Sequence, residues 1–260
     1  MRGAEFQAIY VMWLREMKRF VRSKSRIVAT VVQPLFFLVI LGSGLRTAIV
    51  PGMAGDNYLY FLAPGIVAMT ILFSSMFTGI SVLWDRQFGF LQEVLVAPIS
   101  RLSIIIGRTL GGATISLIQG FIILIIAIAL GVPILSVLGL ISTIVFMVLL
   151  AFTAVGFGLV VASKMSDFQG FQIIMNLLIM PLLFLSSALF PIATNLQFPE
   201  IIRKLVFLNP LFYMVDGLRG TMMANIKNYY FSPMIDFVVV LVICIVMMGL
   251  GSYLFSKSEV

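Results

Sequence analysis

The stretch FLQEVLVAPISRLSIIIGR occupies residues 90–108. It carries Glu93, Arg101 and Arg108, is broken by Pro98, and lies between two long apolar runs. The rest of the chain explains why three charges here matter. Of 260 residues, 61% are hydrophobic and only 10% are charged, against about 25% charged in a soluble domain. Such a chain is an integral membrane protein, and residues 90–108 are a place where it leaves the bilayer.

Six apolar runs surround this stretch: 27–45, 59–84, 109–130, 135–162, 171–189 and 234–255. A helical span needs about 20 apolar residues, so the sequence predicts an all-α protein with six transmembrane helices and no soluble domain. The third run is entered from about Ile104, and a tight Gly131-Val132-Pro133 turn leads to the fourth. Tyr58 and Tyr60 stand like an aromatic belt at a membrane surface. The first 26 residues are basic and amphipathic. Phe6, Ile9, Tyr10, Trp13, Met17, Phe20 and Val21 fall on one side of a helix, with Arg15, Lys18, Arg19 and Arg22 on the other. This pattern predicts an interfacial helix.

Orientation follows from the 17 Lys and Arg residues. With the N-terminus inside, twelve lie in inner segments and five in outer ones, so both termini are expected in the cytoplasm. The net charge of +7 is then accounted for without a nucleic-acid partner. Residues 85–108 form a cytoplasmic segment, and 191–233 an outer segment. The outer segment is rich in Leu, Phe and Met, yet its apolar stretches are too short to span, which suits short re-entrant helices. Asp216 and Arg219, three apart, are placed to pair on a helix face.

Several chemistries are excluded. None of the six lysines follows a glycine, so there is no standard phosphate-binding G-x-x-x-x-G-K-[ST] loop. If ATP powers transport, another polypeptide hydrolyses it. There is no His, the commonest general base and metal ligand, and no paired carboxylates lie within a span. No catalytic, cofactor or metal site is expected on this chain. The middles of the runs lack Asp, Glu, Lys and Arg, unlike those of ion-coupled carriers. Asp236 stands near the outer end of the last run. Gln33, Gln119 and Asn176 are the neutral polar residues inside the runs. They serve either interhelical hydrogen bonds or the lining of a pathway. Gly107 with Gly111, and Ala154 with Gly158, are spaced for close helix packing.

Within the opening stretch, Phe88, Phe90, Leu91, Val94 and Leu95 share one arc of a helix, with Gly89, Gln92 and Glu93 opposite. Pro98 ends that helix, and Ser100 is placed to cap a second one. Arg101 and Arg108, seven apart, share a face of the second helix, with Arg108 able to snorkel to the inner interface. A plain chain reversal needs only a few residues. A helix, a break and a second capped helix suit docking of an apolar arc onto a cytoplasmic partner.

These residues resemble the permease subunits of type-2 ABC transporters, of the daunorubicin-resistance and nodulation-export kind. The resemblance covers nearly the whole chain. It rests on FLQEVLVAPISRLSIIIGRTLGG (90–112), LSSALFPI (185–192) and LNPLFYMVDGLRG (208–220), in that order. One departure is Ser186-Ser187, where many members have Ser-Gly. The resemblance implies a dimer with a second permease subunit, powered by two copies of an ATP-binding subunit that carries ATP and Mg. It implies export of a drug, lipid or lipid-linked glycan across the cell membrane. It places the ATPase contact on the N-terminal amphipathic helix and on the loop after the second span, here Phe90, Leu91, Glu93 and Arg101, and the outer gate on Asn209, Pro210, Asp216 and Arg219. Two other classes remain: an ion-coupled carrier or channel acting without an ATPase, and a non-transporting assembly factor.

Overall fold

The computed structural model describes residues 2–44, 57–89, 99–134, 136–165, 167–193, 195, 197–222 and 229–257. Phe90, Leu91 and Glu93 lie outside them. Among the described residues the chain forms nine helices: α1 (Arg2–Arg22), α2 (Lys24–Gly44), α3 (Asn57–Gln87), α4 (Arg101–Ala129), α5 (Val137–Lys164), α6 (Phe168–Phe184), α7 (Glu200–Val206), α8 (Pro210–Met222) and α9 (Pro233–Lys257). Four of them, α3, α4, α5 and α9, are long and apolar enough to cross a membrane. The first and fifth runs give shorter apolar helices, Thr30–Gly42 within α2 and Phe168–Phe184.

The bundle is organised around α3. Almost every residue of its middle is buried, from Leu62 to Leu72, because α2, α4, α5, α6 and α8 all pack on it. The other helices bury narrower faces. In α2 the buried residues are Pro34, Leu38 and Gly42. In α6 they are Phe171, Met175, Ile179 and Leu183, one residue per turn. Helices apolar on every side but buried on one leave the rest for lipid or another subunit.

Boundaries shift where polar chemistry permits helix to continue. α4 starts at Arg101, eight residues before the third apolar run, because Ser100 caps it by accepting from the Ser103 amide. Ser136 caps α5 in the same way through Gly139. α6 stops at Phe184, five residues short of its apolar run, and the chain turns through Ser187 at φ 55°. The 131–133 turn is present, with Gly131 at φ 98°, a conformation glycine adopts without steric cost.

α1 is amphipathic in three sectors rather than two. Met12 and Phe20 are buried and Ile9 and Trp13 half-buried, whereas Phe6, Tyr10 and Val21 are exposed. The protein-facing sector lies on α4, where Gly107 and Gly111 form the seat. A Cβ at Gly107 would stand 2.7 Å from that of Met12, and one at Gly111 2.8 Å from that of Glu16. This glycine pair thus receives α1, while Gly158 receives Met76 of α3 at 3.5 Å.

Candidate functional site

Two polar clusters sit at opposite ends of α3. The first surrounds Asp85 in its last turn. Arg15 of α1 grips Asp85 through both terminal nitrogens, at 2.8 and 2.7 Å. Arg108 of α4 reaches the same carboxylate at 2.5 Å, and Arg19 stands 3.9 Å away. Arg108 is fully buried, so it does not snorkel. It turns inward because Asp85 is the anion within reach, and an unpaired buried charge is costly. Its Nε and Nη1 have no hydrogen-bond partner among the described residues.

Further bonds tie α1 to α4. Glu5 accepts from the Ser103 hydroxyl, the Ser100 hydroxyl at 2.8 Å and the Ser100 amide at 3.2 Å. These donors hold its carboxyl below the usual range. Trp13 donates to Thr114 at 3.2 Å. Arg19 lies over the Trp84 ring at 4.9 Å, and that ring stacks on Phe168 at the start of α6. Arg101 donates to the Ser256 carbonyl at 2.8 Å, one of the last carbonyls of α9, which lack intrahelical donors. Arg101 and Arg108 therefore diverge, one toward α9 and one toward α3.

The second cluster lies at the other end of α3, near Tyr58 and Phe61. Asn209 caps α8 by accepting from the Leu211 amide at 2.9 Å, and Pro210 occupies the first helical position, where its missing N–H costs nothing. Asn209 also donates to the Leu182 carbonyl at 2.6 Å, an orphan of the last turn of α6. Arg219 is 2% exposed. It donates to the carbonyls of Phe61 at 3.2 Å, Ser187 at 2.5 Å and Ala188 at 3.2 Å, and lies 3.7 Å from the centre of the Phe61 ring. Tyr58, also buried, donates to the Leu189 carbonyl at 3.0 Å. It clamps the 185–189 turn rather than standing in a surface belt. Gly65 makes the approach possible: a Cβ there would lie 2.2 Å from the Ala188 carbonyl oxygen.

Asp216 and Arg219 do not pair with each other. Asp216 accepts from the amides of Tyr230 at 2.8 Å and Phe231 at 2.8 Å, pinning the approach to α9 onto α8. Irregular backbone buried among helices needs donors and acceptors, and these two side chains supply them. Phe207, Phe212, Tyr213, Tyr230 and Phe231 pack edge to face around the same place.

The remaining polar residues separate. Gln119 is buried and donates to Thr30 at 2.7 Å, an interhelical bond between α4 and α2. Gln33 and Asn176 are exposed on α2 and α6. Asn176 borders a pocket of about 70 Å³ with Phe73, Met76 and Gln172. Asp85, Arg15, Glu5 and Tyr58 carry both clusters, yet sequence reasoning passed over Asp85 and Glu5 and read Arg15 only as part of a polar face and Tyr58 only as part of an aromatic belt. The one local signal was an acidic residue between Trp84 and Arg86 in a segment otherwise selected for positive charge.

The architecture is that of a polytopic helical membrane protein, with charged clusters at its ends and an apolar middle. The chain belongs to the ABC-2 type transporter family, whose pattern it matches over residues 7–223. It is similar to a protein named as a transport permease, ycf38, of Cyanophora paradoxa, with 30% identity over 217 residues covering 82% of this chain and 73% of that one. It is also similar to nodulation protein J of Azorhizobium caulinodans, at 28% over 84% of this chain and 82% of that one. A protein named as a multidrug ABC transporter permease, YbhR of Escherichia coli (strain K12), matches at 30% over 62% of this chain and 43% of its own length. This is a transport permease, with no standard nucleotide-binding loop in its sequence.

Proposed function

We propose that this chain is the membrane-spanning half of an ATP-driven exporter, working as a dimer with two copies of a separate ATP-binding subunit that carries ATP and Mg. Its cargo is a hydrophobic or amphipathic molecule: a drug, a lipid or a lipid-linked glycan. In this reading α2 and α6 complete six spans, both termini face the cytoplasm of a cell membrane, and residues 191–233 close the path on the outside.

One observation carries the reading. α1 and the start of α4 are bolted together by Glu5 and by the Asp85 joint, so a push on residues 90–98 moves α1, α3 and α4 as one body. Phe90, Leu91 and Glu93 would take that push from the ATPase, while Arg101 holds the end of α9 to the same body. Second-subunit pairing is supported by the exposed Gln33, Gln172 and Asn176 on otherwise apolar faces, since amides avoid lipid. Two pockets between helices hold about 70 and 60 Å³. Drug-sized ligands fill roughly 300–1,000 Å³, so the cargo path in this reading runs between two copies.

The test is reconstitution with the ATP-binding subunit. Glu93→Ala is expected to insert and dimerise normally, keep basal ATP hydrolysis, and lose cargo-stimulated hydrolysis and transport. Normal transport by this variant would remove the contact assignment. A second reading, ion-coupled carriage, draws on Asp236, which is buried with neither carboxylate oxygen bonded among the described residues. Transport by the purified chain alone in liposomes would select it.

A further inference from the structure

One sector of α1 is used neither by its packing on α4 nor by the apolar strip beside it. Phe6, Tyr10 and Val21 are 74, 58 and 63% exposed and form that strip. Around the helix axis from them stand Arg15, Lys18, Arg19 and Arg22, and Lys24 follows across the break at Ser23. These five cations line one open groove of about 920 Å³, together with Val11, Leu14, Ser23 and Ser25. No carboxylate lines it among the described residues. Asp85 draws on Arg15 at 2.7 Å and on Nη1 of Arg19 at 3.9 Å from behind, but Lys18, Arg22 and Lys24 have no anionic partner among the described residues.

We propose that this groove is a binding site for the phosphodiester headgroup of an anionic membrane phospholipid. The geometry selects that ligand in three ways. An exposed apolar strip on an interfacial helix settles about 5–10 Å into the headgroup boundary, which sets the neighbouring cationic sector at the level of the phosphates. Guanidinium forks and ammonium groups meet phosphate oxygens with charge-assisted bonds, and the hydroxyls of Ser23 and Ser25 add donors. A choline headgroup would bring its own cation among five others, so the groove discriminates by net charge. The groove lies at the junction of α1 with α2, so a bound lipid would fix the body that carries the Asp85 joint. The inference rests on the permease reading only in that the chain sits in a bilayer.

The chain has two tryptophans, and both report on this region: Trp13 lies on α1 and Trp84 lies under Arg19. The full chain, without any ATP-binding subunit, is placed in phosphatidylcholine nanodiscs. These are doped with phosphatidylglycerol or phosphatidylcholine brominated on the acyl chains. Quenching is expected to half-saturate at a several-fold lower fraction of the brominated phosphatidylglycerol. The triple variant Lys18→Gln, Arg22→Gln, Lys24→Gln changes only exposed side chains and leaves Arg15 and Arg19 in place. It is expected to bring the two half-saturating fractions together, because the removed cations supply the attraction to anionic lipid. The charge-keeping variant Lys18→Arg, Arg22→Lys, Lys24→Arg is expected to retain it, which separates lost charge from lost folding. Equal quenching by the two lipids, or a preference that survives in the neutral triple variant, overturns the proposal. So does a preference abolished by equimolar inorganic phosphate, which would mark a free-anion site. Unchanged lipid preference with lost capture of the ATP-binding subunit would give the cations to a protein partner instead. Because no ATPase or cargo enters the quenching assay, its failure and that of the exporter reading are distinguishable.

Discussion

The two ends of α3 use charge in different ways. At one end Asp85 meets Arg15 and Arg108 side chain to side chain, each from a different helix. At the other end Arg219 and Asp216 spend their charges on backbone: three carbonyls for one, two amides for the other. Bonds between side chains of separate helices fasten those helices to one another. Bonds to the backbone of a turn hold that turn in one shape. The Asp85 end is thus built as a joint that ties rigid rods together, and the Arg219 end as a clamp on irregular chain.

The sharpest way to break this contrast is to remove one partner and then ask whether a second change repairs it. Asp85→Asn strands a fully buried Arg108 and is expected to cost about 3–5 kcal/mol, read as a lower midpoint of thermal unfolding in detergent. Replacing both, Asp85→Leu with Arg108→Met, should recover most of that loss, because an apolar pair of similar volume is often neutral. A double variant no better than the single one would mean that the joint is not pairwise.

Arg219→Ala is expected to cost about 3 kcal/mol, since hydrogen bonds to a charged group contribute about 1.5–3 kcal/mol and several carbonyls lose their donor together. No second side-chain substitution should repair it, because the acceptors are backbone. Suppression of Arg219→Ala by a change at Asp216 would contradict the clamp.

The Glu5 contact gives a smaller, pH-dependent effect at the Asp85 end. Its carboxyl is held below its ordinary value, so its contribution is fully present above the ordinary glutamate range and is lost as pH falls through the lowered folded value. Hydrogen-exchange protection along α1, corrected for the intrinsic pH dependence of amide exchange, is expected to fall as the carboxylate is protonated, and to be independent of pH over that range in Glu5→Gln. A flat profile in the native chain would remove Glu5 from the joint.

The smallest effect is expected at Ser187. Its φ of 55° lies in the left-handed region, which costs a side-chain-bearing residue roughly 1–2 kcal/mol. Ser187→Gly should relieve about 1 kcal/mol or less, because it also removes a 3.4 Å bond to the Ala193 amide. A stabilised variant agrees with the clamp geometry. A destabilised one would show that the hydroxyl outweighs the backbone conformation.

These ends differ also in how far the sequence disclosed them. The apolar runs at helical length revealed the long helices, and local rules revealed Ser100 as a cap and the Asn209-Pro210 start of α8. The rules that worked join residues within one turn. Arg15 and Asp85 are 70 positions apart, and no periodicity within either helix signals that they meet. Spacing by three pointed Asp216 at Arg219, but helix-face proximity lost to the demand of buried carbonyls and amides for partners. The extra length of α4 escaped a hydropathy reading because residues 101–108 mix Arg and Ser with Leu and Ile. The resemblance at 185–192 named a departure at Ser187 without its reason, which is a backbone angle.

α3 runs unbroken from the clamp to the joint. Its 31 residues give a rod of about 46 Å at 1.5 Å per residue, longer than the roughly 30 Å hydrocarbon layer. Phe61, whose carbonyl and ring hold Arg219, and Asp85 belong to the same rod. A tilt applied at one membrane surface is therefore delivered to the other as leverage, with no chain of intermediate contacts to convey it. Pro64, next to Gly65 and one turn from the clamp, sets where that lever can flex: close to the load and far from the hand.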